Sequence, residues 1–127
     1  MKPSIQLRCF FKRNKIKRIK DIFSTLNELG FDVRGCEYKE DDICGIIVVD
    51  EYRDVVPHFD KNKVITYNCK MTIKEKKLCV AYQLAQYIQE KEEHNFVRFA
   101  DKIKRWETNG KTMLLAKEIL ENFGRKI

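Results

Sequence analysis

Nowhere in the 127-residue chain do eighteen apolar residues follow one another, so no membrane-spanning helix is expected. The opening Met-Lys-Pro-Ser-Ile-Gln-Leu-Arg lacks the apolar run of a secretion signal, which makes the cytoplasm the expected location, with no membrane contact. Histidine is scarce, with only His58 and His94, so a thiol nucleophile has few bases to lean on. The five glycines form no phosphate-cradling loop and no Gly-x-Ser-x-Gly elbow occurs. Five cysteines (Cys9, Cys36, Cys44, Cys69, Cys79) make an odd set without a Cys-x-x-Cys pair. That pattern argues against a disulfide framework and a cysteine zinc knuckle, and predicts thiols that are reduced and mostly buried. Acid is missing from residues 1–20, which carry eight lysines and arginines, whereas residues 28–54 hold nine acids against three bases. The net charge of +7 is therefore unevenly spread, and one end of the molecule is suited to phosphates or an acidic protein surface.

What is present suits one domain, residues 1–127, with 43% apolar residues to build a core. Ile5, Leu7, Cys9 and Phe11 alternate as in a short edge strand. From Lys15 the period changes, and Ile16, Ile19, Ile22, Phe23, Leu26 and Leu29 predict a helix over residues 14–29, ended by Gly30 in a left-handed conformation. Residues 31–38 alternate as a strand, and the apolar run Ile43-Cys-Gly-Ile-Ile-Val-Val49 predicts an inner strand. Val55-Val56 before Pro57 suits an edge or a break, and residues 63–68 give a further strand. Phe96, Val97, Phe99, Ala100, Ile103 and Trp106 suggest a third helix or helical turn, and residues 113–120 a final helix near Gly124, with a bend or a helix start at Gly110.

The chain is organised around residues 72–91. Thr72 and Glu75 have the spacing of a capping box, and behind them Leu78, Ala81, Tyr82, Ala85 and Ile88 recur at helical steps, widened by Val80, Leu84 and Tyr87. Such a wide apolar stripe predicts a central helix. At its heart stands Tyr82-Gln83-Leu84-Ala85-Gln86, which keeps the spacing of the zinc-peptidase pattern His-Glu-x-x-His but not its chemistry. Tyrosine is a poor zinc ligand, and an amide cannot act as a general base near neutral pH.

Residues 77–88 resemble the segment Arg-x-Phe-x-x-Ala-His-Glu-Leu-Gly-His-Tyr of the ImmA/IrrE metallopeptidase family, found beside phage and mobile-element repressors. Ala81, Leu84 and Tyr87 match; Tyr82, Gln83 and Gln86 stand where both histidines and the glutamate would be. Leu26-Asn-Glu-Leu-Gly-Phe-Asp-Val33, Asp42–Val49 and Val64-Ile-Thr-Tyr-Asn68 look like further pieces in the same order, so that the resemblance spans residues 16–120. Near the end Glu107 and Asn109 match the Glu-Ala-Asn of the family, whose glutamate is the third metal ligand, while Lys111 and Thr112 depart where Phe-Ala stands.

The resemblance implies an α+β, zincin-like domain in which a small antiparallel-rich sheet packs against a long central helix and C-terminal helices. It implies a decayed site without metal or other cofactor, in which Tyr82, Gln83, Gln86 and Glu107 share one polar pocket, and hence a non-enzymatic binder. A protein partner is expected, either a repressor-type regulator or a host defence enzyme such as a CRISPR nuclease. The alternative is nucleic acid or nucleoprotein, held without sequence specificity. The expected contact residues are Lys12, Arg13, Lys15, Lys17, Arg18 and Lys20, joined by Lys70, Lys74, Lys76 and Lys77.

Overall fold

A computed structural model describes residues 5–15, 21–38, 43–50, 63–90, 95–101 and 110–121. In chain order these form α1 (Ile5–Arg13), α2 (Ile22–Glu28), β1 (Asp32–Cys36), β2 (Ile43–Asp50), β3 (Lys63–Asn68), α3 (Ile73–Gln89), β4 (Asn95–Asp101) and α4 (Lys111–Glu121). The architecture is α+β, with a four-stranded mixed sheet in the order β1-β3-β2-β4. Only β1 and β3 run parallel; β2 pairs antiparallel with both β3 and β4. No helix among the described residues is long and apolar enough to cross a membrane.

Three elements differ from the sequence expectation, two in type and one in extent. The first nine described residues are helix rather than edge strand: Leu7, Phe10 and Phe11 are buried while Arg8, Cys9, Lys12 and Arg13 face solvent. Spacing at i, i+3 and i+4 is helical, and so short a helix holds only because tertiary burial of two phenylalanines supports it. Phe10 meets Tyr87 of α3 edge-on at 6.1 Å. Residues 95–101, expected to be helical, form a strand instead, with Ile46 opposite Phe99 and Val48 opposite Val97. Valine and phenylalanine favour strands, and β2 offers a continuous row of backbone partners from Gly45 to Asp50, which outweighs the helical spacing of the apolar residues.

The helix expected over residues 14–29 is also shorter. Lys15 is left-handed at φ 58°, and the Asn14 backbone and side-chain amides both donate to the Phe10 carbonyl, so α1 ends there. α2 starts afresh at Asp21, whose carboxylate accepts from the Ser24 backbone N–H at 3.1 Å. That bond and a second from the Ser24 hydroxyl at 2.8 Å hold the Asp21 carboxyl below its ordinary range. Ile16 and Ile19, Val55 to Pro57, Ile103 and Trp106 lie outside the described residues.

Elsewhere the expectations hold. Gly30, at φ 89°, closes α2: its N–H donates to the Asn27 carbonyl, the Phe31 N–H reaches the Leu26 carbonyl, and Phe31 and Leu26 meet in the core. Lys63 of β3 adds an ammonium bond to the Leu29 carbonyl at 2.6 Å and stands 5.1 and 5.5 Å from the Phe31 and Tyr87 ring centroids, which meet each other edge-on at 5.0 Å. The Thr72–Glu75 capping box at the start of α3 is formed in both directions, at 3.2 and 3.0 Å, which holds the Glu75 carboxyl below its usual range. α4 begins after Gly110, whose carbonyl accepts from the Leu114 N–H. The core lies between α3 and the sheet, with α4 against α3 and α1 on the second half of α3.

Candidate functional site

The middle of α3 faces β2 and β3. There the β2–β3 ladder runs from Val49 and Lys63 to Ile47 and Ile65 and then opens. Beyond that point the Thr66 hydroxyl replaces the ladder: its Oγ1 accepts from the Ile46 N–H at 3.0 Å and donates to the Ile46 carbonyl at 3.2 Å, with the Tyr38 hydroxyl against it. Burial pushes the Tyr38 hydroxyl above its usual pKa. The Thr66 carbonyl is left without a strand partner on this side and turns toward the helix.

Gln83 answers it. This side chain is fully buried, and its Nε2 donates to the Thr66 carbonyl at 2.8 Å. The approach is close because position 45 has no side chain: a Cβ there would stand 2.1 Å from the Thr66 oxygen and 2.6 Å from Gln83 Nε2. The same stretch of β2 shifts register against β4 between Ile43 and Gly45. Gly45, Thr66 and Gln83 thus form one unit that ties the central helix to an opening in the sheet. The buried Oε1 atoms of Gln83 and Gln86 have no hydrogen-bond partner among the described residues.

The expected polar pocket is accordingly only partly visible. Gln83 is committed to the sheet, Tyr82 is half-buried against the core, and Gln86 is half-buried. Glu107, like Asn109, His58 and His94, lies outside the described residues. No group of three or more His, Cys, Asp or Glu side chains suited to a metal ion occurs among the described residues.

The cysteines depart from expectation. Cys44 and Cys79 form a disulfide across the β2–α3 interface, with Cα atoms 6.3 Å apart, while Cys9 and Cys69 are exposed and Cys36 is half-buried. The count and spacing of cysteines carry no information on this pair, because it is made by two elements packing together 35 residues apart.

The basic residues divide. Lys12, Arg13 and Lys15 are exposed at the end of α1; Lys17, Arg18 and Lys20 lie outside the described residues. Lys70, Lys74 and Lys77 are exposed around the start of α3, whereas half-buried Lys76 sits 5.6 Å over the Tyr67 ring. Phe10 anchors α1 at Tyr87, thirteen residues beyond Lys74 and so about 20 Å along the helix axis. Lys77 of the second group lies near enough to Asp21, the residue after Lys20 in the chain, for its charge to add to the lowering of that carboxyl's pKa by the Ser24 hydrogen bonds. Amid the second group stands Ile73, 64% exposed on the first turn.

A cleft of about 260 Å³ between α2 and β1 is lined by Phe23, Asn27, Phe31, Asp32, Val33 and Tyr67. It is smaller than the usual small-molecule pocket. No sequence signal points to it, since its walls come from three elements.

No family model, curated protein or solved structure matches this chain.

Proposed function

We propose that this chain is a catalytically inactive ImmA/IrrE-like protein of a phage or mobile element, acting by binding a protein partner at the start of α3. The partner is a repressor-type regulator or a host defence enzyme, and it presents an acidic surface. The reading rests on one observation: Ile73 is 64% exposed on a turn flanked by the exposed lysines Lys70, Lys74 and Lys77. An apolar anchor inside a charged rim suits a protein interface, where a desolvated centre supplies affinity and the rim steers approach. Pure phosphate binding does not call for the isoleucine. The positive end of the α3 dipole adds to the attraction for acid.

The residue types on α3 support the inactive half of the reading. Tyr82 and Gln86 replace imidazoles, and the amide that replaces a catalytic carboxylate is held against the Thr66 carbonyl. Tagged protein incubated with bacterial host lysate tests the proposal. Capture of a partner is expected to survive nuclease treatment and to be lost in Ile73→Asp and in Lys74→Glu/Lys77→Glu. Capture that vanishes with nuclease identifies a nucleic-acid binder instead, and stoichiometric zinc or chelator-sensitive peptide cleavage overturns the inactive assignment.

A further inference from the structure

Three sulfur atoms from three parts of the chain meet where the β3–α3 turn passes over the sheet. Cys44 lies on β2 and is 2% exposed, Cys79 lies on α3 and is fully buried, and half-buried Met71 lies in the turn. Met71 Sδ is 3.8 Å from Cys44 Sγ, and Gln83 Nε2 lies 3.4 Å from Cys79 Sγ. The surroundings are Ala100, Met113, Leu78 and the Tyr67 and Tyr82 side chains, which make the site dry and largely apolar.

We propose that the reduced Cys44–Cys79 pair, together with Met71, holds one Cu(I) ion. Two thiolates and a thioether form a soft donor set of three, which suits Cu(I) and not the hard cations; Zn2+, which thiolates also bind, takes four donors in a structural site and has no use for a thioether. With metal–sulfur bonds of about 2.3 Å, three sulfurs arranged around one ion stand about 4 Å apart. The Cys44–Met71 separation of 3.8 Å already has that size, and Cα atoms 6.3 Å apart leave room for the two cysteine sulfurs to take it.

Loading takes two steps. A low-molecular-weight thiol first reduces the disulfide, leaving two protein thiols and the oxidised small-molecule disulfide. Cu(I) then displaces two protons, one from each cysteine, and the bound centre carries one negative charge. The Gln83 N–H directed at Cys79 opposes that charge, as an outer-shell donor does in other metal sites. Met71, the outermost of the three, is the side on which the ion enters.

The test uses the full chain with Cys9→Ser, Cys36→Ser and Cys69→Ser, so that no other thiol competes. After reduction and anaerobic removal of the reductant, Cu(I) is titrated against a coloured Cu(I) chelator. The expected result is one equivalent withheld per chain, with affinity lowered roughly ten-fold or more by Met71→Leu, since loss of a ligand matters no less than loss of an outer-shell partner. Cys79→Ala, checked for fold by circular dichroism, is expected to withhold none. A triple variant that yields all its Cu(I) to the chelator overturns the proposal. So does equal affinity with and without Met71. A pair that stays two hydrogens lighter by mass spectrometry after treatment of the native protein with thiol also overturns it, because the site is then a permanent disulfide.

Discussion

The first turn of α3 and its middle treat their residues in opposite ways. At the start an isoleucine, Ile73, stands 64% exposed; ten residues on, a glutamine, Gln83, is fully enclosed. Side-chain polarity alone would place them the other way round. What decides is where the helix meets the sheet: Gln83 faces the opening of the β2–β3 ladder, where a carbonyl needs a donor, and Ile73 extends beyond it. A buried amide with a backbone partner is tolerable, and an exposed isoleucine is available to a partner molecule. The middle of the helix therefore carries stability, and the first turn is free to carry binding.

The sharpest way to break that contrast is at the glycine that lets helix and sheet approach. Gly45→Ala places a methyl against a backbone oxygen that cannot move without its strand, and a loss of about 3 kcal/mol or more is expected in urea unfolding. Retention of full stability would show that the contact among Gly45, Thr66 and Gln83 is looser than described.

Next in size is Gln83→Ala. It leaves the Thr66 carbonyl without its donor and opens a cavity, for an expected loss of about 3 kcal/mol, again from denaturant midpoints. A loss under about 1 kcal/mol would mean that water replaces the amide and that the middle of α3 is no more demanding than its start.

Thr72→Ala probes the first turn itself, and about 1 kcal/mol is expected from the lost cap. The acid limb of the stability curve adds a second readout. Glu75 is held below the ordinary carboxylate range by the backbone N–H and then the hydroxyl of Thr72, so its contribution is present above the unfolded pKa and is lost as pH falls through the lower, folded one. The larger cause is the Thr72 backbone N–H, which alanine keeps, so removing the hydroxyl should flatten that part of the curve only in part; an unchanged acid limb would assign the whole dependence to the backbone bond or to Asp21, the other capped carboxylate.

The smallest effect on stability belongs to Lys74→Glu/Lys77→Glu. Both positions are exposed, so the unfolding midpoint should stay within about 0.5 kcal/mol of wild type while partner capture is lost. A large stability change there would erase the division of labour within the helix.

The central helix was legible because its signals are local. Thr72 and Glu75 meet within one turn, and the apolar stripe repeats inside one element. The exit of α2 was readable for the same reason, since Gly30, Phe31 and Leu26 are near neighbours in the chain. The start at Asp21 also had a local signature, the Asp21–Ser24 pair, but the apolar spacing upstream from Ile16 concealed it. For residues 5–13 and 95–101 the apolar spacing fitted two periods, and the choice fell to burial against Tyr87 in one case and to the open edge of β2 in the other. The candidate site was legible as a set of residue types on α3, but the burial of Gln83 against a strand carbonyl was not.

Sequence by itself determined the capped central helix, the strands β1, β2 and β3, the uneven charge, and the run Tyr82-Gln83-Leu84-Ala85-Gln86 at the middle of that helix, because each depends on residues close together in the chain. Tertiary structure alone decided that Gln83 faces a strand carbonyl, that Cys44 meets Cys79 and Met71, and that Ile73 stays outside. Those contacts join elements distant along the chain, and the distances among them are fixed only once the helix lies on the sheet.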